Sequence, residues 1–238
     1  MATIDLNLPA NVGWTTWENA AAQASGLAAK VAEALRGAIA ARGRAVLAVS
    51  GGRSPVAFLE ALSAEQLDWS KVTVTLADER WVPESHPDSN AGLVRRHLLK
   101  GAAAKALFCG LYQAAASLEE AAQNAERQVA ELALPIDVLV LGMGDDGHTA
   151  SLFPGSPGLV EALDPAGVRR CLPAWAPSVP HQRLTLSRAV LAGARVQLLA
   201  IQGQAKLATL RAALAENDEQ RMPVRAFLRA PLSIHWCP

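Results

Sequence analysis

Apolar positions in the first 50 residues follow two different periods. Four of them recur at every fourth position: Leu27, Val31, Leu35 and Ile39. This spacing predicts a long amphipathic helix, which the capping-box sequence at 15–18 can begin and Gly43 can end. Residues 45–49 form an unbroken apolar run instead, which is typical of a strand covered on both faces.

Helical and strand patterns alternate along the rest of the chain. Further strands are predicted at residues 72–77, 138–141, 168–172, 183–186, 196–201 and 233–236. Helices are predicted from Ser54 with Pro55 at the first position, from 88–90 to Lys100, from Ser117 to about Leu132, and over 204–215. Residues 78–83 are expected to form a polar loop at a strand end. Because parallel strands need crossover connections, the alternation favours a mostly parallel sheet with helices on both faces, in a single domain over residues 1–238.

The charges of the chain balance, with 22 Lys and Arg against 22 Asp and Glu in 238 residues. A net charge of zero lacks the basic footprint of nucleic-acid binding, so we expect no nucleic-acid partner. Cys109, Cys171 and Cys237 are far apart and predict neither a disulfide framework nor a zinc site. The N-terminal residues carry no export signal, and no uncharged apolar run is long enough for a membrane span. We therefore expect a cytoplasmic protein with no membrane partner.

The most informative stretch follows the predicted strand at 138–141. It contains three glycines: Gly142, Gly144 and Gly147. They allow a sharp turn and form a literal G-x-G-x-x-G, the first half of a dinucleotide fingerprint. We reject a dinucleotide site because Pro154 and Pro157 stop any long helix and no acidic residue follows at a second strand end. The two aspartates inside the loop would also repel a pyrophosphate.

His148 and the two aspartates before it are the candidate chemical groups of this loop. Asp145, Asp146 and His148 could ligate a metal ion, but neither an HExxH motif nor a supporting ligand set accompanies them. A neutral imidazole has an ordinary pKa of about 6.5 and can accept a proton near neutral pH, with a carboxylate two residues earlier to orient its ring. We favour a general base at His148 over a histidine that only braces the turn.

A second glycine loop, at 50–55, predicts an anion site. Gly51 and Gly52 expose backbone N–H groups, the following helix points its positive end at the loop, and Arg53 adds a charge. A plain strand-to-helix turn would explain the glycines but not the arginine. Three further basic residues lie at or near predicted strand ends: Arg80, Arg183 and Lys206. Each alone suits a solvated surface charge, whereas together they favour a phosphate site.

Three loops taken together resemble the 6-phosphogluconolactonase family: 50–55, 78–83 with 88–90, and 142–155. They occur in the family's order and at its spacing, and residues 183–187 and 203–206 are similar to its two later motifs. The combination is specific and covers most of the chain. It implies a three-layer α/β/α, Rossmann-like fold with a mostly parallel sheet of the ribose-5-phosphate isomerase and CoA transferase type, and a smaller added lobe.

The resemblance also implies an enzyme that hydrolyses 6-phospho-D-glucono-1,5-lactone to 6-phospho-D-gluconate, in the oxidative pentose phosphate pathway, without a metal or organic cofactor. His148 would take a proton from the attacking water, and Asp146 would orient it. The substrate-binding residues would be Gly51, Gly52, Arg53, Asp78, Arg80, Arg183 and Lys206. Among these, the four basic side chains and the two glycine amides would hold the 6-phosphate.

Two other functions remain alternatives on this fold. An amino-sugar phosphate deaminase would carry a further acid just after His148, and residues 149–154 contain none. A sugar-phosphate sensor would carry a DNA-binding extension that this neutral chain lacks. We expect a monomer. The sequence leaves open whether Asp145 or Asp146 contacts His148, which groups stabilise the oxyanion, what Glu79 does, and whether the proline-rich segment 153–180 is a wall or a lid.

Overall fold

Strands and helices alternate along the chain in a computed structural model that describes residues 6–52 and 54–238. The strands are β1 (Gly13–Thr16), β2 (Ala45–Val49), β3 (Val72–Leu76), β4 (Asp78–Arg80), β5 (Leu107–Cys109), β6 (Val138–Leu141), β7 (Cys171–Trp175), β8 (Gln182–Leu186), β9 (Val196–Gln202) and β10 (Leu232–Cys237). The α-helices are α1 (Ala20–Arg42), α2 (Val56–Ser63), α3 (Asn90–His97), α4 (Leu118–Ala130), α5 (Leu159–Ala162), α6 (Arg188–Leu191) and α7 (Gly203–Ala215). Short 3-10 helices lie at Trp69–Lys71, Gly101–Lys105 and Pro223–Phe227.

Seven of these strands form one parallel sheet in the order β1-β10-β9-β6-β2-β3-β5. Every residue of β2 and β6 is buried, so both faces of the central strands are covered. Helix α1 packs against β2, β6 and β10, and α7 packs against β9 and β10. The predicted mostly parallel sheet with flanking helices is confirmed.

The chain reverses its direction of travel across the sheet between β2 and β6. From β2 it continues through β3 to β5 on one side, and later from β6 through β9 to β10 on the other. Open α/β sheets bind ligands outside the carboxyl ends of their strands at such a reversal. The two loops singled out in the sequence follow β2 and β6, so they flank this point.

A smaller antiparallel sheet, in the order β4-β8-β7, forms the added lobe. The prediction of a polar loop over 78–83 is wrong at its start, because Asp78–Arg80 pairs with β8 as β4. The strand predicted at 168–172 is also displaced, since Val168 is 89% exposed and β7 begins at Cys171. Apolar side chains of β7 and β8 join the same hydrophobic cluster as those of the large sheet.

The first helix begins later than its sequence suggests. Thr15 and Thr16 pair with β10 as part of β1, and the side chain of Asn19 caps α1 by accepting a hydrogen bond from the N–H of Ala22 at 2.9 Å. The capping box predicted at 15–18 is therefore wrong, because backbone pairing with β10 takes these residues. The predicted end is confirmed, since Gly43 has a φ of 73° in the left-handed region. Within the described residues, α1 and every other helix fall short of the length and apolarity that a membrane span needs.

The remaining helix starts are mixed in outcome. Ser117 caps α4 through a side-chain hydrogen bond, as predicted, and Ser89 caps α3 within the predicted start at 88–90. Helix α3 ends three residues earlier than expected and α4 two residues earlier. Ser54 does not cap α2, which begins at Val56 with Pro55 before it. The sequence patterns missed β1, the edge strand β5 and the one-turn helices α5 and α6.

Candidate active site

A cavity of about 340 Å³ opens at the carboxyl ends of β9, β6, β2 and β3. Seven of the residues singled out in the sequence line it: Gly51, Gly52, Asp78, Arg80, His148, Arg183 and Lys206. Asp146 contacts His148 but does not itself line the cavity. Arg53 lies outside the described residues. Residues from two loops, two strands and one helix thus converge on one space that is large enough for a sugar phosphate.

His148 is held by the carboxylate of Asp146. The ring Nδ1 lies 2.6 Å from Asp146 Oδ1, which also accepts a hydrogen bond from the backbone N–H of His148 at 3.1 Å. With Nδ1–H donating to Asp146, Nε2 is the unprotonated nitrogen and can accept a proton. Burial raises the pKa of Asp146, but the hydrogen bonds from His148 outweigh this and lower it overall. Asp146 therefore stays ionised and fixes both the orientation and the tautomer of the ring.

The glycine loop leaves room for this pair and folds around it. A Cβ added to Gly144 would lie 2.0 Å from His148 Nδ1 and 2.6 Å from Asp146 Oδ1, so only glycine fits there. The N–H of Gly144 donates to the carbonyl of His148 at 2.9 Å, which closes the loop. The ring of Phe153 packs on His148 with centroids 4.3 Å apart. Phe153 opens the proline-rich segment 153–180, and both Phe153 and Ser178 contribute to the cavity wall.

Asp145 points away from His148 and contacts helix α7. Its carboxylate forms an ion pair with Lys206 Nζ at 2.7 Å, and its carbonyl accepts a hydrogen bond from the hydroxyl of Thr209 at 3.3 Å. The question of which aspartate contacts His148 is thereby answered in favour of Asp146. Lys206 also lines the cavity, so its ammonium contacts both the cavity and the loop that carries His148.

Two neighbouring acids on β4 serve different purposes. Asp78 lines the cavity, and its Oδ2 accepts a hydrogen bond from the hydroxyl of Ser151 at 2.6 Å, which joins β4 to the segment after His148. Glu79 is fully buried and accepts hydrogen bonds from the backbone N–H groups of Asn90, Ala91 and Arg80 at 2.7–2.8 Å. Burial raises the pKa of Glu79 to about 7, with these N–H groups acting in the opposite direction. Glu79 therefore anchors the start of α3 rather than facing the cavity.

Arg80 and Arg183 lie directly opposite each other on β4 and β8. Arg183 is only 5% exposed and its Nε has no hydrogen-bond partner, whereas Arg80 donates to the carbonyl of Asp88 at 2.6 Å. Burial, and next the charge of Arg80, lower the pKa of the Arg183 guanidinium. Like charges opposite each other destabilise a strand pair. Two guanidinium groups thus line the same cavity, an arrangement that is suited to binding an anion.

Several cavity residues were not among the candidates taken from the sequence. The hydroxyl of Ser50 is buried without a hydrogen-bond partner, and Asn90 packs so closely that a Cβ on Gly51 would lie 1.8 Å from its Oδ1. Gln202 also lines the cavity. Ser50 and Asn90 lie within the family-like motifs at 50–55 and 88–90, and that position could have identified them as cavity residues. Nothing in the sequence around Gln202 marks it as a ligand-facing residue.

The sequence analysis weighed a dinucleotide site and a metal site for the glycine loop, and the structure bears on both. No helix begins within residues 142–158, all of which are described, and the next helix is the one-turn α5. A dinucleotide fingerprint requires a helix that starts inside its glycines. Across residues 6–52 and 54–238, no group of three His, Cys, Asp or Glu side chains converges as a metal site requires.

Comparisons with known proteins agree with this geometry. The family model for glucosamine-6-phosphate isomerases/6-phosphogluconolactonase matches residues 18–236. A protein of Pseudomonas aeruginosa named 6-phosphogluconolactonase is 76% identical over the full length of both chains, and one of Pseudomonas putida with the same name is 62% identical over all of this chain and 98% of its own. The crystal structure of a 6-phosphogluconolactonase from Shewanella baltica superposes with a TM-score of 0.93 at 38% identity, covering 98% of this chain and 100% of that one.

Proposed function

The chain belongs to the glucosamine-6-phosphate isomerase/6-phosphogluconolactonase family. We propose how the residues that line its cavity catalyse the hydrolysis of 6-phosphogluconolactone. As a lactone hydrolase of the pentose phosphate pathway, it converts 6-phospho-D-glucono-1,5-lactone to 6-phospho-D-gluconate. The observation that carries the mechanism is that His148, oriented by Asp146, shares one cavity with the paired guanidinium groups of Arg80 and Arg183.

His148 is the general base. Nε2 takes a proton from a water molecule as the water oxygen attacks C1 of the lactone, which forms a tetrahedral intermediate with a negatively charged oxygen. The resulting imidazolium is stabilised by the charge of Asp146, which its Nδ1 contacts at 2.6 Å. General-base assistance of this kind typically accelerates a reaction by about 10² to 10⁴.

The intermediate then collapses without a second acid. The C1–O bond to the ring oxygen breaks, C1 becomes a carboxylic acid, and the imidazolium returns its proton to the departing ring oxygen, which becomes the C5 hydroxyl. This sequence restores His148 to its starting state. Hydrolysis therefore requires only one side chain, His148, to gain and lose a proton at the substrate. Among the described residues, Asp78 is the only carboxylate that lines the cavity together with His148.

Arg80 and Arg183 hold the 6-phosphate, with the Ser50 hydroxyl and the Gly51 amide as further donors. This assignment is supported by the unpartnered Arg183 Nε and Ser50 Oγ, both buried beside the cavity. Lys206, which lines the cavity from α7, and Arg53, which follows Gly52 in the sequence, would add positive charge. The phosphate is remote from C1, and binding it holds the lactone carbonyl beside His148. The binding energy of the phosphate is thus used to orient the substrate.

The direct test supplies freshly generated 6-phosphogluconolactone and follows acid release above the spontaneous rate. We expect acceleration by the wild-type protein and no ammonia release from glucosamine 6-phosphate under the same conditions. A protein that binds the lactone without turning it over would instead be a sugar-phosphate sensor. Ammonia release would favour the deaminase, and a rate equal to the spontaneous one would overturn the lactonase assignment.

We further propose that the chain is a monomeric cytoplasmic enzyme with a single domain over residues 1–238. Support for one domain comes from the hydrophobic cluster that continues from the large sheet into β7 and β8. Light scattering on a size-exclusion column measures the oligomeric state, with a mass near 25.0 kDa expected. A single cooperative thermal transition is expected for one domain, and two resolved transitions would contradict it.

A further inference from the structure

Two of the donors proposed for the 6-phosphate come from different sheets. The Gly51 amide belongs to the loop that follows β2 in the large sheet, and Arg80 is the last residue of β4 in the small one. Strand pairing therefore does not join the two segments. The position of the Gly51 N–H relative to the Arg80 guanidinium depends on contacts outside the strand ladders.

The side chain of Asn90 makes such a contact. Asn90 is the first residue of α3, is 2% exposed and lines the cavity. A Cβ added to Gly51 would lie 1.8 Å from Asn90 Oδ1 and 2.1 Å from its Cγ, so the amide group rests directly on the Gly51 backbone. Asn90 Nδ2 donates a hydrogen bond to the carbonyl of Asp78 in β4 at 2.9 Å. One buried side chain therefore contacts both segments.

Glu79 fixes Asn90 in this place. Its Oε1 accepts hydrogen bonds from the backbone N–H groups of Arg80 at 2.7 Å and Asn90 at 2.8 Å. Its Oε2 accepts from the N–H of Ala91 at 2.7 Å and from the hydroxyl of Ser89 at 3.3 Å. Hydrogen bonds to a carboxylate are stronger than those between neutral groups. The start of α3 is thus held on β4, and the Asn90 side chain is kept against Gly51.

The rest of the glycine loop is fixed from the other side or left open. The N–H of Ser50 donates to the carbonyl of Val140 at 3.0 Å, which joins the start of the loop to β6. The three atoms nearest to a Cβ on Gly51 all belong to Asn90, whereas a Cβ on Gly52 would meet no described residue within 4 Å. Asn90 is therefore the side chain that sets where Gly51 lies.

We propose that Asn90 is a positioning residue of the anion site, whose buried amide holds Gly51 so that the Gly51 N–H and the Arg80 guanidinium reach the same 6-phosphate. The proposal rests on the proposed function, because that function places the phosphate at these donors. Charge-assisted hydrogen bonds need donor–acceptor distances of about 2.7–2.9 Å, so a small displacement of the loop weakens them. Phosphate binding depends on Asn90 in this way, and the chemical step at His148 does not.

The first test is Asn90→Ala. The variant keeps the backbone N–H that Glu79 binds and removes only the amide group that contacts Gly51 and Asp78. We expect KM for 6-phosphogluconolactone to rise about ten-fold, with kcat within about three-fold of the wild-type value and KM for unphosphorylated gluconolactone within about two-fold. Equal rises in KM on both substrates would mean that Asn90 supports the structure and not the phosphate.

Asn124→Ala is the matched control for this variant. It makes the same substitution within a helix, α4, at a residue that does not line the cavity. Both kinetic constants should stay within about two-fold of the wild-type values, as is usual for changes away from a site.

A second test adds a methyl group at Gly51, where the contact with Asn90 predicts a collision. Gly51 does not have a positive φ, so alanine is compatible with its backbone. Gly51→Ala alone should raise KM for the phosphorylated lactone by about 100-fold, because the Asn90 amide occupies the place of the methyl group. Adding Asn90→Ala opens that space, so the double variant should have a KM no higher than that of Gly51→Ala. A KM raised by the product of the two single effects would show that the residues act independently, and would overturn the proposal.

Inorganic phosphate gives a measurement that needs no turnover. Titration calorimetry should show its Kd raised about ten-fold in Asn90→Ala, with thermal unfolding as the check on folding. An unchanged phosphate Kd in Asn90→Ala would overturn the positioning role, and so would an unchanged Kd in Gly51→Ala if Asn90→Ala does not fold. A wild-type protein that binds phosphate but does not hydrolyse the lactone would overturn the proposed function instead, so the two failures are distinguishable.

Discussion

The two ends of the cavity are built in opposite ways. At the proposed catalytic end, His148, Asp146 and Gly144 come from one loop, and hydrogen bonds within that loop hold the His148 ring with Nε2 left open. At the anion end, Arg80 and Arg183 come from two strands that are distant in sequence, and the Arg183 Nε has no partner. The catalytic end thus fixes its base without a ligand, whereas the anion end holds two like charges that nearby carboxylates only partly offset until an anion joins them.

This difference predicts how each end responds to substitution. Changes at the catalytic end should alter the rate of the chemical step and leave binding and stability nearly unchanged. Changes at the anion end should alter binding, and they should relieve repulsion between like charges in the free protein. Each of the following experiments separates these two responses.

The largest effect is expected from His148→Ala. Removing the base should lower kcat by about 10² to 10⁴, while KM changes little, because the phosphate contacts remain. Steady-state kinetics on freshly generated lactone measures both constants, and the melting temperature checks the fold. A variant with an unchanged kcat would remove His148 from the mechanism.

A smaller effect on the same step is expected from Asp146→Asn. The amide can still contact His148 but no longer stabilises the imidazolium or selects its tautomer, so we expect kcat to fall about 10²-fold, the lower end of the range for general-base catalysis. Asp145→Asn is the matched control, one residue earlier, and it breaks only the exposed ion pair to Lys206. Its kcat should change less than about three-fold, because exposed ion pairs contribute little. Equal losses in the two variants would contradict the separate roles assigned to the two aspartates.

The catalytic end was also the part most accessible to sequence reasoning. Strand β6, the glycine loop and the candidate base His148 follow each other directly, so one local pattern predicted all three. The alternating helices and strands likewise predicted the parallel sheet. Basic residues at strand ends predicted that Arg80, Arg183 and Lys206 belong to one site, to which the family resemblance added Asp78. The sequence could not show which aspartate contacts His148. Asp145 and Asp146 are neighbours in the chain and differ only in the direction of their side chains, which the structure gives.

The features that the sequence did not predict depend on contacts between distant segments. Strand β1 exists because residues 13–16 pair with β10, which overrides a favourable capping box. The register that sets Arg80 opposite Arg183 cannot be derived from either segment alone. Gln202 gains its orientation from Gln23 on α1. In each case the partner is far away in the chain, so no local pattern carries the information.

At the anion end, Arg183→Met should raise KM for the phosphorylated lactone by about 10- to 100-fold, because a charge-assisted contact to phosphate is lost. Unphosphorylated gluconolactone should show a KM within about two-fold of the wild-type value, since it makes no such contact. Arg80→Ala should act in the same direction. Equal losses on both substrates would indicate that these arginines support the structure and not the phosphate.

The smallest expected effect, a change in stability, is the most direct test of the difference between the two ends of the cavity. If Arg183 is held opposite Arg80 for an anion, then Arg183→Met removes like-charge repulsion and should stabilise the free protein by about 1 kcal/mol, because methionine replaces a guanidinium whose buried Nε has no hydrogen-bond partner. For a chain of this length that corresponds to a rise in melting temperature of about 2–4 °C. Millimolar inorganic phosphate should raise the melting temperature of the wild-type protein and leave that of Arg183→Met unchanged, since only the wild type gains an anion between two guanidinium groups. A variant that melts below the wild type without phosphate would mean that Arg183 stabilises the lobe, and the contrast between the two ends of the cavity would then fail.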